Sequence, residues 1–220
     1  LISVVALNEF NLNQNYAFKR LYNLSKKKNK ININDLGFLF GPILNAGGRL
    51  GKSNYATDLL SSNNFRLIDK ISSELFDLNL KRKNLEKITI DSINLKKIKK
   101  DNKDVIIYYD DKIKEGLIGI IAARLTDIFN KPSIVITNSN NLLKGSARSV
   151  AGYNIGKIMR DLLDKKIILK GGGHNMAAGF SLKKENLNRF KELITNDFLK
   201  KNNTLINELF YDSEVSPSAF

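Results

Sequence analysis

The chain contains no cysteine and a single histidine, and these two shortages remove most familiar catalytic arrangements at once. Without cysteine there is no disulfide, no thiolate metal site and no thiol nucleophile. His174 stands alone, with no acidic residue close to it in sequence. Neither a Ser-His-Asp triad nor a conventional multi-ligand metal centre follows from local motifs. No stretch reaches the roughly 18 apolar residues of a membrane span. The opening run Leu1-Ile2-Ser3-Val4-Val5-Ala6-Leu7 lacks the basic start and cleavage pattern of a signal peptide, so a cytoplasmic protein is expected. Acidic residues are outnumbered, 22 Asp+Glu against 36 Lys+Arg, for a net charge of +14. Such an excess attracts polyanions, nucleic acid first among them. The chain is also rich in Lys, Asn and Ile throughout, as AT-rich coding would produce.

What is present suffices for a core: 220 residues, 42% of them hydrophobic, leave room for one large or two small domains. Residues 13–29 carry Tyr16, Phe18, Leu21 and Leu24 at helical spacing, followed by a basic turn. Asn34-Asp35 is expected to cap a short helix that Gly41-Pro42 ends. Ser53 opens another helix through Leu60. Residues 65–100 read as one long helix with Ile68, Ile71, Leu75, Leu78, Leu85 and Ile88 on one stripe, either a connector between lobes or a coiled-coil arm. After residue 104 the texture changes. A strand at 105–109, a helix at 116–129 and a strand at 133–136 form a βαβ unit, which implies parallel pairing and a right-handed crossover. Further strands at 142–150, 167–169 and 178–182, with helices at 154–163 and 184–201, complete an α/β domain. Its sheet is expected to be mixed and mainly parallel, flanked by helices. Another strand starts at 205–211.

Three clusters concentrate small residues. Gly171-Gly172-Gly173-His174-Asn175-Met176-Ala177-Ala178-Gly179 is expected where the backbone takes positive φ or passes very close to something else. A plain tight turn between strands fits it equally. Asn45-Ala46-Gly47-Gly48-Arg49-Leu50 reads as a loop in which a guanidinium lies beside exposed backbone N–H groups and grips a phosphate, although Gly- and Arg-containing loops are common. Lys144-Gly145-Ser146-Ala147-Arg148-Ser149 combines charge, close approach and hydroxyl donors. In a strand, Lys144, Ser146 and Arg148 share one face and Ala147 takes the other. An ordinary polar edge strand is the alternative.

Taken in chain order, and with Gly116-Leu117-Ile118-Gly119-Ile120-Ile121-Ala122-Ala123-Arg124-Leu125 between the first two, these clusters resemble the successive motifs of the RecJ-type exonucleases of the DHH phosphoesterase superfamily, over residues 35 to 195. The resemblance implies the end of a DHH-type lobe at 1–63, a connecting helix at 64–101, a DHHA1 nucleic-acid-binding domain at 102–202 and the start of an OB-like domain at 203–220. It marks the chain as an internal piece of a longer protein. The implied activity is 5′ to 3′ hydrolysis of single-stranded DNA in repair and recombination, dependent on Mn²⁺ or Mg²⁺ held by the other lobe and none by this chain. The implied partners are single-stranded DNA with a 5′-phosphate and a single-strand-binding protein or helicase. His174 would meet the scissile phosphate as the catalytic residue. Asn45, Arg49, Arg124, Lys144, Ser146, Arg148, Ser149, Gly171, Gly172 and Gly173 would bind phosphate and DNA. The family places an Asp ligand before a Val-Val-Pro-Leu-like run, whereas Ser3-Val4-Val5-Ala6-Leu7 has none; the family's earlier metal motifs are absent as well, so the chain alone is expected to be inactive. Two other readings stay open: a degenerate, non-catalytic nucleic-acid-binding protein, and an oligoribonuclease-type DHH phosphoesterase.

Overall fold

The computed structural model describes residues 15–28 and 30–202. The run around Ser3 and the strand expected at 205–211 lie outside the described residues. The chain divides into two compact units. One comprises residues up to Lys97 together with Asp110–Ile121, and the other comprises Ile98–Tyr109 and the residues from Ala122 onward.

The first unit is helical. Helix α1 (Tyr16–Leu24) starts at Asn15, whose side chain accepts the Phe18 N–H. Helix α2 (Ile33–Asp35) is closed by a capping box between Asn32 and Asp35, two residues earlier than the Asn34 cap expected. Nor does the helix end at Gly41-Pro42. Leu36–Phe40 forms a wide π turn in which the Gly41 N–H bonds the Leu36 carbonyl, and α3 (Gly41–Arg49) follows without a break. Proline has no N–H to donate, and in the first turn of a helix that N–H has no partner to lose. The π turn supplies the change of register.

Helix α4 (Tyr55–Ser61) leads to α5 (Phe65–Ser92), capped by the Asn64 side chain. The single helix expected to run to residue 100 is two helices. Ile93 is extended, with ψ 126, and the Asn94 side chain accepts the Lys97 N–H to start α6 (Leu95–Asp101). Ile68, Ile71 and Leu75 of α5 pack with Leu21, Phe40, Ile43 and Leu59, each worth about 1.5–3 kcal/mol when fully buried. The apolar stripe then fades, and Ile88 is 64% exposed.

The second unit is built on a five-stranded sheet of order β1-β2-β3-β5-β4. Its elements are β1 (Ile106–Tyr109), α7 (Ile118–Phe129) from Ala122 onward, β2 (Ser133–Ser139), β3 (Leu142–Arg148), α8 (Ile155–Asp164), β4 (Lys170–Gly173), β5 (Ala177–Leu182) and α9 (Leu187–Asn202). The α/β class and the flanking helices agree with expectation, and β1 and β2 pair in parallel across α7. The other three pairings are antiparallel, so the sheet is mainly antiparallel rather than mainly parallel. The chemistry of the turns decides this. Asn140 and Asn141 have φ of 52 and 63, the left-handed pair that closes a two-residue hairpin with the right twist. A second short hairpin joins β4 to β5. The strand expected at 167–169 begins instead at Lys170, so the glycines themselves form it.

One sheet face, with Ile134, Ile136, Leu143, Ala147, Phe180 and Leu182, packs under Ile155, Met159 and Leu162 of α8 and Phe190 and Ile194 of α9. At its margin the Tyr153 hydroxyl donates to Asp197 at 2.9 Å, and Lys201 holds the same carboxylate at 2.8 Å. Burial first, and then the Asp197 charge, push the tyrosine well above its ordinary range, so it remains a neutral donor. Among the described residues no helix is long and apolar enough to cross a membrane.

Candidate nucleic-acid interface

The opposite sheet face is closed at one side and open at the other. Ser133, Val135 and Thr137 of β2 are fully buried there, and the Thr126 hydroxyl of α7 lies 3.5 Å from the Arg148 carbonyl. Beyond β3 the face opens. Residues directly opposed in antiparallel strands share a face, so the register sets out three rows. Lys144 stands beside Ser181, which is beside Lys170; Ser146 is beside Gly179 and then Gly172; Arg148 is beside Ala177. Gly172 and Gly179 are exposed, leaving a floor of bare main chain about 10 Å wide across three strands. Lysines stand at one end of this trough. Arg148 stands at the other, next to the hairpin that carries the exposed His174. The Arg148 guanidinium donates to the Ser146 hydroxyl at 3.2 Å and to the Ala147 carbonyl at 2.9 Å, which orients its fork along the face.

The three consecutive glycines do three different things. A Cβ on Gly171 would lie 2.5 Å from Ile168 Cδ1, and one on Gly173 would lie 2.3 Å from the Ala177 carbonyl oxygen. The Gly173 contact is with backbone that cannot rotate away, whereas the Gly171 contact is with the end of a side chain; both face the protein's own packing. Only Gly172 faces open space, with nothing within 4 Å of its would-be Cβ. None of the three has positive φ, so close approach is what calls for glycine here. Gly145, expected to admit a phosphate, instead admits the Phe180 ring, whose Cζ would be 2.1 Å from an added Cβ.

The remaining expected residues are distributed unevenly. Ser149 is 3% exposed and its hydroxyl donates to the Tyr153 carbonyl at 2.6 Å; this corrects its assignment to the binding face, because the next strand position turns into the core. Arg124 is exposed on α7 rather than on the sheet. Asn45 and Arg49 belong to the helical unit, exposed four residues apart on α3. The loop expected there is therefore helix, with its N–H groups engaged in the helical ladder. The Arg49 guanidinium donates to the Gly116 carbonyl at 3.2 Å, and a guanidinium has five N–H donors, so this bond leaves capacity for an anion. Gly179 and Lys170 were missed as site residues, although counting by twos along β4 and β5 would have found them. Among the described residues no group of three or more His, Asp or Glu is placed to hold a metal ion, so they do not fit a divalent-metal centre.

Residues 102–200 match the DHHA1 domain family. The chain is 33% identical over 201 residues to the single-stranded-DNA-specific exonuclease RecJ of Haemophilus influenzae, covering 84% of this chain and 34% of that protein. It is 33% identical over 205 residues to the Escherichia coli protein of the same name, covering 86% and 34%. RecJ from Thermus thermophilus, crystallised with Mg²⁺, has the same fold, with a TM-score of 0.70 at 24% identity over 84% of this chain and 28% of that one. The chain thus spans about a third of the length of the curated relatives it matches. The trough lies wholly within the matched domain, and the chain belongs to the RecJ family, with its DHHA1 domain at residues 102–200.

Proposed function

We propose that this chain is the strand-gripping part of a RecJ-type exonuclease that removes nucleotides 5′ to 3′ from single-stranded DNA during repair and recombination. The observation that carries it is the open trough, basic at both ends and floored by Gly172 and Gly179. A phosphodiester backbone needs cations spaced along its path and a surface flat enough to approach. Lys144 and Arg148 supply the charge, Ser146 a hydroxyl donor and the two glycines the approach. Arg148 has a planar fork that matches a phosphate in two places, which a lysine ammonium cannot do, and it takes the 5′-phosphate end. His174, at the edge of the trough, meets the scissile phosphate. Asn45, Arg49 and Arg124 make further phosphate contacts. A single-strand-binding protein or a helicase delivers the strand, in the cytoplasm.

Thermus thermophilus RecJ has been solved with Mg²⁺ and with Mn²⁺. The described residues here offer no donor set for such an ion, and the roles proposed for them are binding and positioning.

The test is fluorescence anisotropy with a 5′-phosphorylated oligo(dT) and the full chain over a range of salt. Affinity is expected to fall steeply, with a log–log slope of about −0.7 for each phosphate neutralised. Arg148→Ala should weaken binding by about 1–3 kcal/mol and flatten the slope, whereas Lys97→Ala should do neither. Salt-independent binding, or equal effects of the two substitutions, would overturn the proposal.

A further inference from the structure

The hairpin that carries His174 is held by a helix end. The first N–H groups of a helix have no partner inside it, and in α8 they have been given specific ones. The Ile155 N–H bonds the Asn175 carbonyl at 3.1 Å and the Gly156 N–H bonds the His174 carbonyl at 3.0 Å, while the Lys157 N–H bonds the Asn154 side chain at 3.0 Å. The Ser149 N–H takes the Met176 carbonyl at 2.9 Å, and the His174 N–H closes the hairpin on Ala177 at 2.8 Å. Three successive carbonyls, from His174 through Met176, are therefore anchored. The His174 side chain itself is exposed, so its place is set through its backbone.

Glycine is disfavoured inside helices relative to alanine, yet Gly156 is buried within the first turn of α8. A Cβ there would stand 2.7 Å from the His174 carbonyl oxygen and 2.9 Å from both the carbonyl carbon and the oxygen of Gly173. All three are backbone atoms that cannot rotate away. Restoring an ordinary contact of 3.4 Å requires the hairpin to retreat by about 0.7 Å. We infer that Gly156 is a positioning residue: its bare Cα lets the first turn of α8 dock against the hairpin and so sets where His174 stands at the trough. The inference rests on the reading of His174 as a residue that meets the strand. Displacements of this size are enough to spoil a reacting geometry.

His174 is the chain's only histidine, so its imidazole ring gives an unambiguous signal in a ¹H–¹³C correlation spectrum of the full chain. Gly156→Ala is expected to displace that signal and to weaken binding of 5′-phosphorylated oligo(dT) about fivefold, the loss of one hydrogen-bonded contact. Leu162→Ala, at a 1% exposed position on the core side of the same helix, should lower stability and leave the signal in place. Should Gly156→Ala fail to fold, Asn154→Ala loosens the same turn by removing the Lys157 bond, and should move the signal in the same direction by less. An unmoved imidazole signal, an equal movement in Leu162→Ala, or a moved signal with wild-type affinity would each overturn the inference. Failure of the underlying reading shows differently: His174→Ala would then itself bind the oligonucleotide as tightly as the wild type.

Discussion

A methyl group added at Gly172 and one added at Gly173 should have opposite consequences, although the two positions are adjacent. On Gly173 the new Cβ would meet Ala177 O at 2.3 Å and Ala178 Cα at 2.6 Å, so the partner strand must move. Overpacking of that kind costs about 1–3 kcal/mol. On Gly172 the methyl meets nothing within 4 Å, and its φ is not positive. Replacing glycine by alanine at a compatible site stabilises by about 0.4–1 kcal/mol, through the entropy of the unfolded chain. The two variants should therefore differ by about 1.5–4 kcal/mol in stability, at roughly 2–4 °C of Tm per kcal/mol. Binding should separate them as well. The Gly172 methyl occupies the floor on which the proposed DNA backbone lies, and Gly172→Ala should bind oligo(dT) about tenfold more weakly, close to 1.4 kcal/mol, while remaining at least as stable as the wild type. Thermal unfolding by circular dichroism and anisotropy titration measure the two effects. Equal destabilisation by both substitutions would refute the assignment of faces. A stable Gly172→Ala with undiminished affinity would refute the trough as the DNA path.

Tyr153→Phe keeps the ring against Phe198, 4.9 Å away edge to face, and removes only the hydroxyl that bonds Asp197. It should cost about 1–2 kcal/mol in urea unfolding, and an unchanged midpoint would show that the bond contributes nothing. The Lys27 side chain's hydrogen bond, helped by the Asn32 N–H, holds the Asp35 carboxyl below its usual range despite its burial. A depressed folded-state pKa stabilises the fold above the unfolded value near about 4 and ceases to do so as the pH falls through the folded value. Asp35→Asn should accordingly lower stability at neutral pH and flatten the acid limb, and superimposable acid-unfolding curves would count against this pairing.

Where the sequence alternates, the period of two sets which face each side chain takes. The common face of Lys144, Ser146 and Arg148 was legible because Leu143, Gly145 and Ala147 between them go to the core, and β3 shows that alternation throughout. The capped helices and the βαβ unit were legible for similar local reasons. Proline misled at Gly41-Pro42, because a π turn is a backbone register change with no side-chain signature. The break at Ile93 was hidden because one extended residue between helices needs only a neighbouring Asn94 cap. Gly47 and Gly48 suggest a loop at Arg49, whereas Gly47 sits in α3 with its would-be Cβ 2.6 Å from the Lys52 carbonyl oxygen and 3.1 Å from Leu75 Cδ2. The Leu75 contact comes from a distant part of the chain and leaves no local trace.

By itself the sequence determined that the chain is basic, carries one histidine among glycines and alternates into strands after residue 104, because charge, backbone freedom and side-chain period are local properties. Which of three identical glycines is open, that Ser149 turns inward, that the sheet runs mainly antiparallel and that α8 holds the His174 hairpin were decided only by the tertiary structure. Each depends on strand register and on backbone atoms from residues far apart. Gly171, Gly172 and Gly173 are chemically identical and consecutive in sequence, and it is the strand and helix packed against them that give them different roles.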